Sequence, residues 1–419
     1  MSELALELVE HIASFLEGDV RSLRKASLVS SRFGEPFQKL LFSELRLEVE
    51  SPEYGYLWRS YPGKKLLTLL QSPRIGSYVK SITISDGPSY GWGHDHTWIA
   101  DDADLPKALR LLPLDRFTKL TINGVWFGLL PPATKNAIAA LCSSPSLVSL
   151  FINDAPIDFI NFCGPSVVNF VCRNTDTSLD LLEKRTTECG WRLQTMALYR
   201  HWELCEIIGF LMLEPNQVGL VGLKKLHVDI STREWDDYGA VQTLLRHCAR
   251  TLEVFSFFTY KDDYGSETWN CIDLSGLPNL RQLSFCGTYS FRSTNRGCHP
   301  LPKFVKQLAE AASSTLLEHV RIYMDGFDSV GGVREEDQDQ DELDGEGFDA
   351  KALHPEPWQR LDALLTGTRF PNMKRVEVLL SDAQMDVYDC QERIEEFLSG
   401  LRRRGMLEVT PTSDGYNPF

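Results

Sequence analysis

The sequence predicts an α/β fold in which a module of three short helices precedes a long solenoid of short parallel strands alternating with helices. Three observations carry this expectation. The first 47 residues show helical apolar spacing, a brief apolar pattern then recurs along the rest of the chain, and helix-like segments fall between its copies. At 419 residues, with 43% hydrophobic and 24% charged side chains, the composition is that of a globular protein with a sizeable core.

The opening segment LALELVEHIASFL places Leu8, Ile12, Phe15 and Leu16 at three- and four-residue spacing, which gathers them on one side of a helix. Gly18 and Asp19 end that run. SLRKASLVSSRF then supplies Leu23, Leu28, Val29 and Phe33, and Pro36 reopens a short segment closing with Leu40, Leu41 and Phe42.

From Leu4 to about Leu47 this order of residues resembles the F-box, the segment by which substrate adaptors of Skp–cullin–F-box ubiquitin ligases bind a Skp-family partner. LALELVEHIASFL is similar to the family's opening Leu-Pro-x-Glu-Leu helix, and SLRKASLVSSRF to its later Leu…Leu-Val-Cys-x-x-aromatic run. Ala5 stands where the family usually has proline, and Ser30 where it often has cysteine. The resemblance implies Skp-adaptor binding by Leu4, Leu8, Ile12, Leu16, Leu23, Leu28, Val29 and Phe33, and through that adaptor a cullin scaffold. Periodicity alone does not separate a docking face from the small core behind it, and an N-terminal helix can also simply cap a repeat stack.

From the end of the helical module through residues 48–419 one pattern repeats: apolar, two residues, apolar, one residue, apolar. It appears at Phe42-Leu45-Leu47, Val79-Ile82-Ile84, Phe117-Leu120-Ile122, Leu147-Leu150-Ile152, Val167-Phe170-Cys172 and Leu193-Met196-Leu198. Further copies are Leu223-Leu226-Val228, Leu252-Phe255-Phe257, Leu280-Leu283-Phe285, Leu317-Val320-Ile322 and Met373-Val376-Val378. Helical segments such as PGKKLLTLL, LPKALRLL, PPATKNAIAALC, HWELCEIIGFLML and LPKFVKQLAEAA lie between them. A strand followed by a helix at this period is leucine-rich-repeat-like, because each unit buries its apolar face only against its neighbours. A doubly wound or barrel domain also alternates strands with helices, but short strands, frequent repetition and the lack of a phosphate-binding glycine loop rank it second.

The interval between the last two copies holds an insertion at 328–350, where ten carboxylates face Arg334 alone. Such a run repels itself and lacks apolar anchors, so a disordered surface loop is expected. Its acidic spacing misses the register of an EF-hand, and no metal site is expected there or at His94-Asp95-His96.

A net charge of −15 argues against binding nucleic-acid phosphates. No apolar stretch is long enough to span a membrane. Ten cysteines without a Cys-x-x-Cys pair, and no Asn-x-Ser/Thr acceptor, fit a reducing compartment, so the cytoplasm or nucleus is expected. No nucleophile elbow, zinc-protease helix or Walker loop occurs, so no catalytic residue, metal or cofactor is assigned.

On each strand the residue between the last two apolar positions should face away from the helices. That strip is polar at both ends and apolar in the middle at Phe151, Val171 and Ala197, an expected target-binding patch if the register holds. Tyr90, Trp92 and Trp98, around the loop GPSYGWGHDHTWIADD, are either further interface anchors or packing at a repeat end. The expected function is a non-enzymatic substrate adaptor of a Skp–cullin–F-box ligase that captures a protein target. A repeat scaffold without a ligase partner, or an α/β enzyme, is the alternative.

Overall fold

The computed structural model describes residues 6–49, 61–86, 97–125, 127–175, 190–199, 204–230, 236–259, 272–288, 300–311, 316–325, 353–381 and 387–412. Leu4, Tyr90, Trp92 and the acidic segment 328–350 lie outside the described residues. The chain forms two compact units: Met1–Leu193 with Glu214–Gly219, and Gln194–Leu213 with Leu220–Phe419.

The first unit begins with helices α1 (Leu6–Ser14), α2 (Val20–Ala26) and α3 (Ser31–Leu41). Gly18 follows α1 with φ +89°, a left-handed value that glycine adopts without steric cost. Asp19 then caps α2 by accepting the Ser22 N–H at 3.0 Å. The segment SLRKASLVSSRF does not stay one helical run. Ser30 is extended, its hydroxyl accepts the Phe33 N–H at 3.3 Å, and the cap starts α3, which continues through Pro36.

The remaining elements of this unit are β1 (Glu44–Leu47), α4 (Pro62–Leu70), α5 (Pro73–Gly76), β2 (Ser81–Ser85), α6 (Trp98–Asp101), α7 (Leu105–Arg110), β3 (Lys119–Asn123), α8 (Pro132–Cys142), β4 (Ser149–Asn153) and β5 (Asn169–Arg173). The strands pair in sequence order and all in parallel. Between β4 and β5, a 3-10 turn at Ile157–Phe162 replaces the α-helix, which accounts for the shortest interval between copies.

Strands β2, β3 and β4 are hydrogen-bonded to a neighbouring repeat at both ends. At their starts, one carbonyl takes two successive N–H groups of the next repeat: Ser43 those of Lys80 and Ser81, Lys80 those of Thr118 and Lys119, Thr118 those of Val148 and Ser149. At their ends, Gly124 and Asp154 donate to the carbonyls of Asn153 and Arg173. Gly124, Asp154 and Asn174 occupy equivalent places with φ of 66°, 48° and 46°. Glycine, aspartate and asparagine are the residues that tolerate this left-handed turn.

The second unit runs β6 (Thr195–Tyr199), α9 (Leu204–Met212), β7 (Lys225–Ile230), α10 (Asp236–Cys248), β8 (Val254–Thr259), β9 (Gln282–Thr288), α11 (Pro300–Ala311), β10 (His319–Asp325), α12 (Pro355–Thr366), β11 (Arg375–Ser381), α13 (Val387–Phe397), α14 (Ser399–Arg403) and β12 (Leu407–Thr412). Its strands too are parallel and sequential. Every copy of the apolar pattern becomes a strand, in register with its neighbours within its own unit. Strand β12 escapes the pattern because Leu407 and Val409 align with Val376 and Val378, which leaves Arg404 in the first apolar slot.

Buried or half-buried carboxylates tie helix N-termini across repeats. Asp102 Oδ2 accepts the Gly63 N–H at 2.7 Å, Asp237 Oδ1 that of Cys205 at 2.8 Å, and Asp362 those of Gly400 and Leu401 at 2.9 and 2.8 Å. A carboxylate suits these positions because the first N–H groups of a helix have no partner within it.

Candidate functional site

The three N-terminal helices have a small core of their own. Val9, Ala13, Leu23 and Phe37 are buried together, with Leu16, Ala26, Phe33, Leu40 and Leu41 packed against them. This separates the residues that sequence could not. Leu23 is buried in that core, while Leu16 and Phe33 pack against it and stay partly exposed. Leu8, Ile12, Leu28 and Val29 are exposed at 44, 36, 81 and 72%.

Helix α1 and the turn that follows it carry two adjacent apolar stripes. Val9, Ala13 and Leu16 face inward, while Leu8, Ile12 and Phe15 share a face at three- and four-residue spacing and remain in solvent. Phe15, 75% exposed, and Val20, 55% exposed, belong to the outward set and were not among the expected contacts. Phe15's position in the same periodic run was the available signal. Full burial of a side chain of this kind gains roughly 1.5–3 kcal/mol, so several exposed together form an unsatisfied surface.

The second expected surface is the face of the sheet turned away from the helices. In the first unit the predicted register is correct: Leu150 and Ile152 are buried while Phe151 between them is partly exposed, and Val171 lies opposite it on β5 and is also partly exposed. In the second unit the equivalent strip is closed except at Arg321, which stays partly exposed. Ala197 is fully buried, as are His227, Ser256, Ser284 and Glu377. Ala197 is therefore corrected from patch to interior: the β6 backbone carries it on the expected side, but that side is covered. On the same face Phe258, Cys286 and Tyr323 form a separate buried cluster against Leu379. Trp98 is corrected likewise. It opens α6 fully buried, and its indole N–H donates to the Ser85 carbonyl at 2.9 Å, which makes it a core anchor.

At β10–β12 the same face carries an ionic cluster around the buried Glu377. Glu377 is approached by Arg321 Nε at 2.6 Å, His319 Nε2 at 3.1 Å and an Arg375 terminal nitrogen at 2.7 Å. Arg375 also reaches Glu408. Burial pushes the Glu377 carboxyl up, but Arg321, His319 and Arg375 outweigh it and hold the group below its ordinary value. Burial, opposed by Glu377, sets His319 below its usual range. The cluster neutralises itself internally and reads as structural.

Among the described residues, no group of three or more His, Cys, Asp or Glu could hold a metal ion, and no helix is long and apolar enough to cross a membrane.

No protein-family model matches the chain, and no curated protein does. Among solved structures it is similar to the leucine-rich repeat-containing protein LegL7 from Legionella pneumophila, with a TM-score of 0.42 and 13% identity over 85% of this chain and 98% of that one. Each unit is leucine-rich-repeat-like by its parallel strand register and its strand–helix alternation.

Proposed function

We propose that this chain is a substrate-recognition adaptor of a Skp–cullin–F-box ubiquitin ligase. The N-terminal helices dock a Skp-family adaptor, the strand face of the first unit holds a protein target, and transfer of ubiquitin is left to other components. Tethering the target beside a conjugating enzyme raises its local concentration and makes transfer effectively intramolecular. Residence in the cytoplasm or nucleus follows from this role, and residues 1–47 act as the docking domain with 48–419 as the repeat domain. One observation carries the reading: the helical module completes its own core yet leaves Leu8, Ile12, Phe15, Leu28 and Val29 to solvent. A helix cap serving only to seal a stack would bury such residues.

The test is co-purification of the full chain with a Skp-family protein. Ile12→Asp and Leu28→Asp each change an exposed side chain, so both variants should melt as the parent does and retain less than a tenth of the bound Skp protein. Failure of the parent chain to bind, or undiminished binding by both variants, rejects the ligase role. The second reading, a repeat scaffold without a ligase partner, is favoured by the placement of α1–α3 in one compact unit with β1–β5, and it would then stand.

A further inference from the structure

Strands β3, β4 and β5 present a three-by-three grid of side chains on the face away from the helices. Their register aligns Lys119, Ser149 and Asn169 in one row, Thr121, Phe151 and Val171 in the next, and Asn123, Asn153 and Arg173 in the third. With strands about 4.8 Å apart and alternate residues roughly 6.7 Å apart, the grid spans about 10 by 13 Å. All nine side chains are at least partly exposed.

The centre is Phe151, extended on one side by Val171. The rim is amide and hydroxyl, and it is already ordered: Asn153 Nδ2 donates to Asn123 Oδ1, Asn123 Nδ2 to Ser85 Oγ at 3.1 Å, and Asn169 Nδ2 to Ser149 Oγ at 3.1 Å. An aromatic centre inside a polar rim is the anatomy of a protein-binding hot spot.

Charge narrows the occupant. The whole chain has 58 Asp and Glu against 43 Lys and Arg, yet the grid contains two cations and no carboxylate. Lys119 Nζ stands 4.9 Å from the centroid of the Phe151 ring, and Arg173 is exposed at the opposite corner, about 16 Å away by the same spacings. The neighbouring carboxylate, Asp154, lies beyond the end of β4 and receives a hydrogen bond from Asn153 Nδ2 at 3.0 Å. The corner cations act over a screening length of about 8 Å, so they favour carboxylates placed close beside an apolar anchor. A polyphosphate needs clustered cations, and the two of the grid stand too far apart to form a cluster.

We infer that the β3–β5 face binds an extended segment of a partner protein in which one aromatic or aliphatic residue, seated on Phe151 and Val171, is flanked on both sides by aspartate or glutamate. The inference rests on the target-holding half of the adaptor reading and is independent of its Skp half.

The experiment selects a displayed library of random twelve-residue peptides on the immobilised full chain, with no Skp-family protein present. Peptides recovered on the parent chain should be enriched in a single apolar residue between acidic ones, and their binding should fall at least tenfold on Phe151→Glu. On the double variant Lys119→Glu with Arg173→Glu, which touches only the rim, the recovered flanks should change from acidic to basic. A polyuridine oligonucleotide should not compete. Absence of acidic enrichment on the parent, unchanged flanks on the double variant, or displacement by the oligonucleotide overturns the inference. Skp co-purification is unaffected by any of these outcomes, so the two readings fail separately.

Discussion

His227 lies on the covered face of β7, its ring centroid 4.6 Å from that of Tyr199, and burial pushes its pKa down to about 3. In the unfolded chain the imidazole protonates near 6.5, while the folded state resists the proton. The unfolded state therefore binds more protons as pH falls, and stability is lost from about 6.5 downward until the folded pKa near 3, at a slope approaching 1.4 kcal/mol per pH unit. His227→Gln should flatten urea-melt stability between pH 6.5 and 4.5. That window stays above the range in which Glu377, whose carboxyl is held below 4.5, loses its own contribution as pH falls. An unchanged slope in the variant would mean that His227 is hydrated or protonated in the folded state. Nothing in the local sequence KLHVDI marks this histidine. Alternation places it on the face away from the helices, where a polar residue is expected in solvent, and its burial depends on the rest of the second unit.

Helix α4 shows how an element can be legible while its key contact is not. The segment PGKKLLTLL announces a helix through Pro62 at its start and Leu66 and Leu70 on one side, all buried as expected. Gly63 looks like an unfavourable choice there, since glycine weakens helices. Its reason lies 39 residues away: the Asp102 carboxylate accepts the Gly63 N–H, and a Cβ at that position would stand 2.5 Å from Asp102 Oδ2 and 2.4 Å from the Leu105 backbone nitrogen. Gly63→Ala should therefore destabilise the chain by about 1–3 kcal/mol in urea unfolding, because a backbone atom cannot move aside as a side chain can. Gly128→Ala meets open space and should stay within about 0.5 kcal/mol of the parent. Equal effects at the two sites would contradict the close approach. The outward stripe of α1 was partly legible for a related reason. Leu8, Ile12 and Phe15 share a face in any helix, but whether that face or the Val9–Ala13–Leu16 face turns inward depends on where α2 and α3 pack.

Within each unit, every strand pairs only with the strand before and after it, so stability is a sum of neighbour terms. Phe285 illustrates the coupling: its ring stacks on Phe304 at 4.7 Å and touches Phe257 at 5.3 Å. Phe285→Ala should cost about 3–5 kcal/mol, and by hydrogen exchange the amides of β8, β9 and β10 should lose protection before those of β6 and β12. A uniform loss across the second unit would show instead that it unfolds as one block. The sequence by itself determined the strand–helix alternation, the eleven strands marked by their apolar pattern and the helical start, because these follow from periodicities of 2 and 3.6 within a few residues of chain. Tertiary structure alone decided that β12 exists, that Ala197 and Trp98 are interior, that Leu23 is core while Phe15 is free, and that Phe151 and Val171 meet between Lys119 and Arg173. Those outcomes depend on which surfaces other repeats and helices cover, and coverage is set by residues tens of positions away, beyond the reach of local spacing.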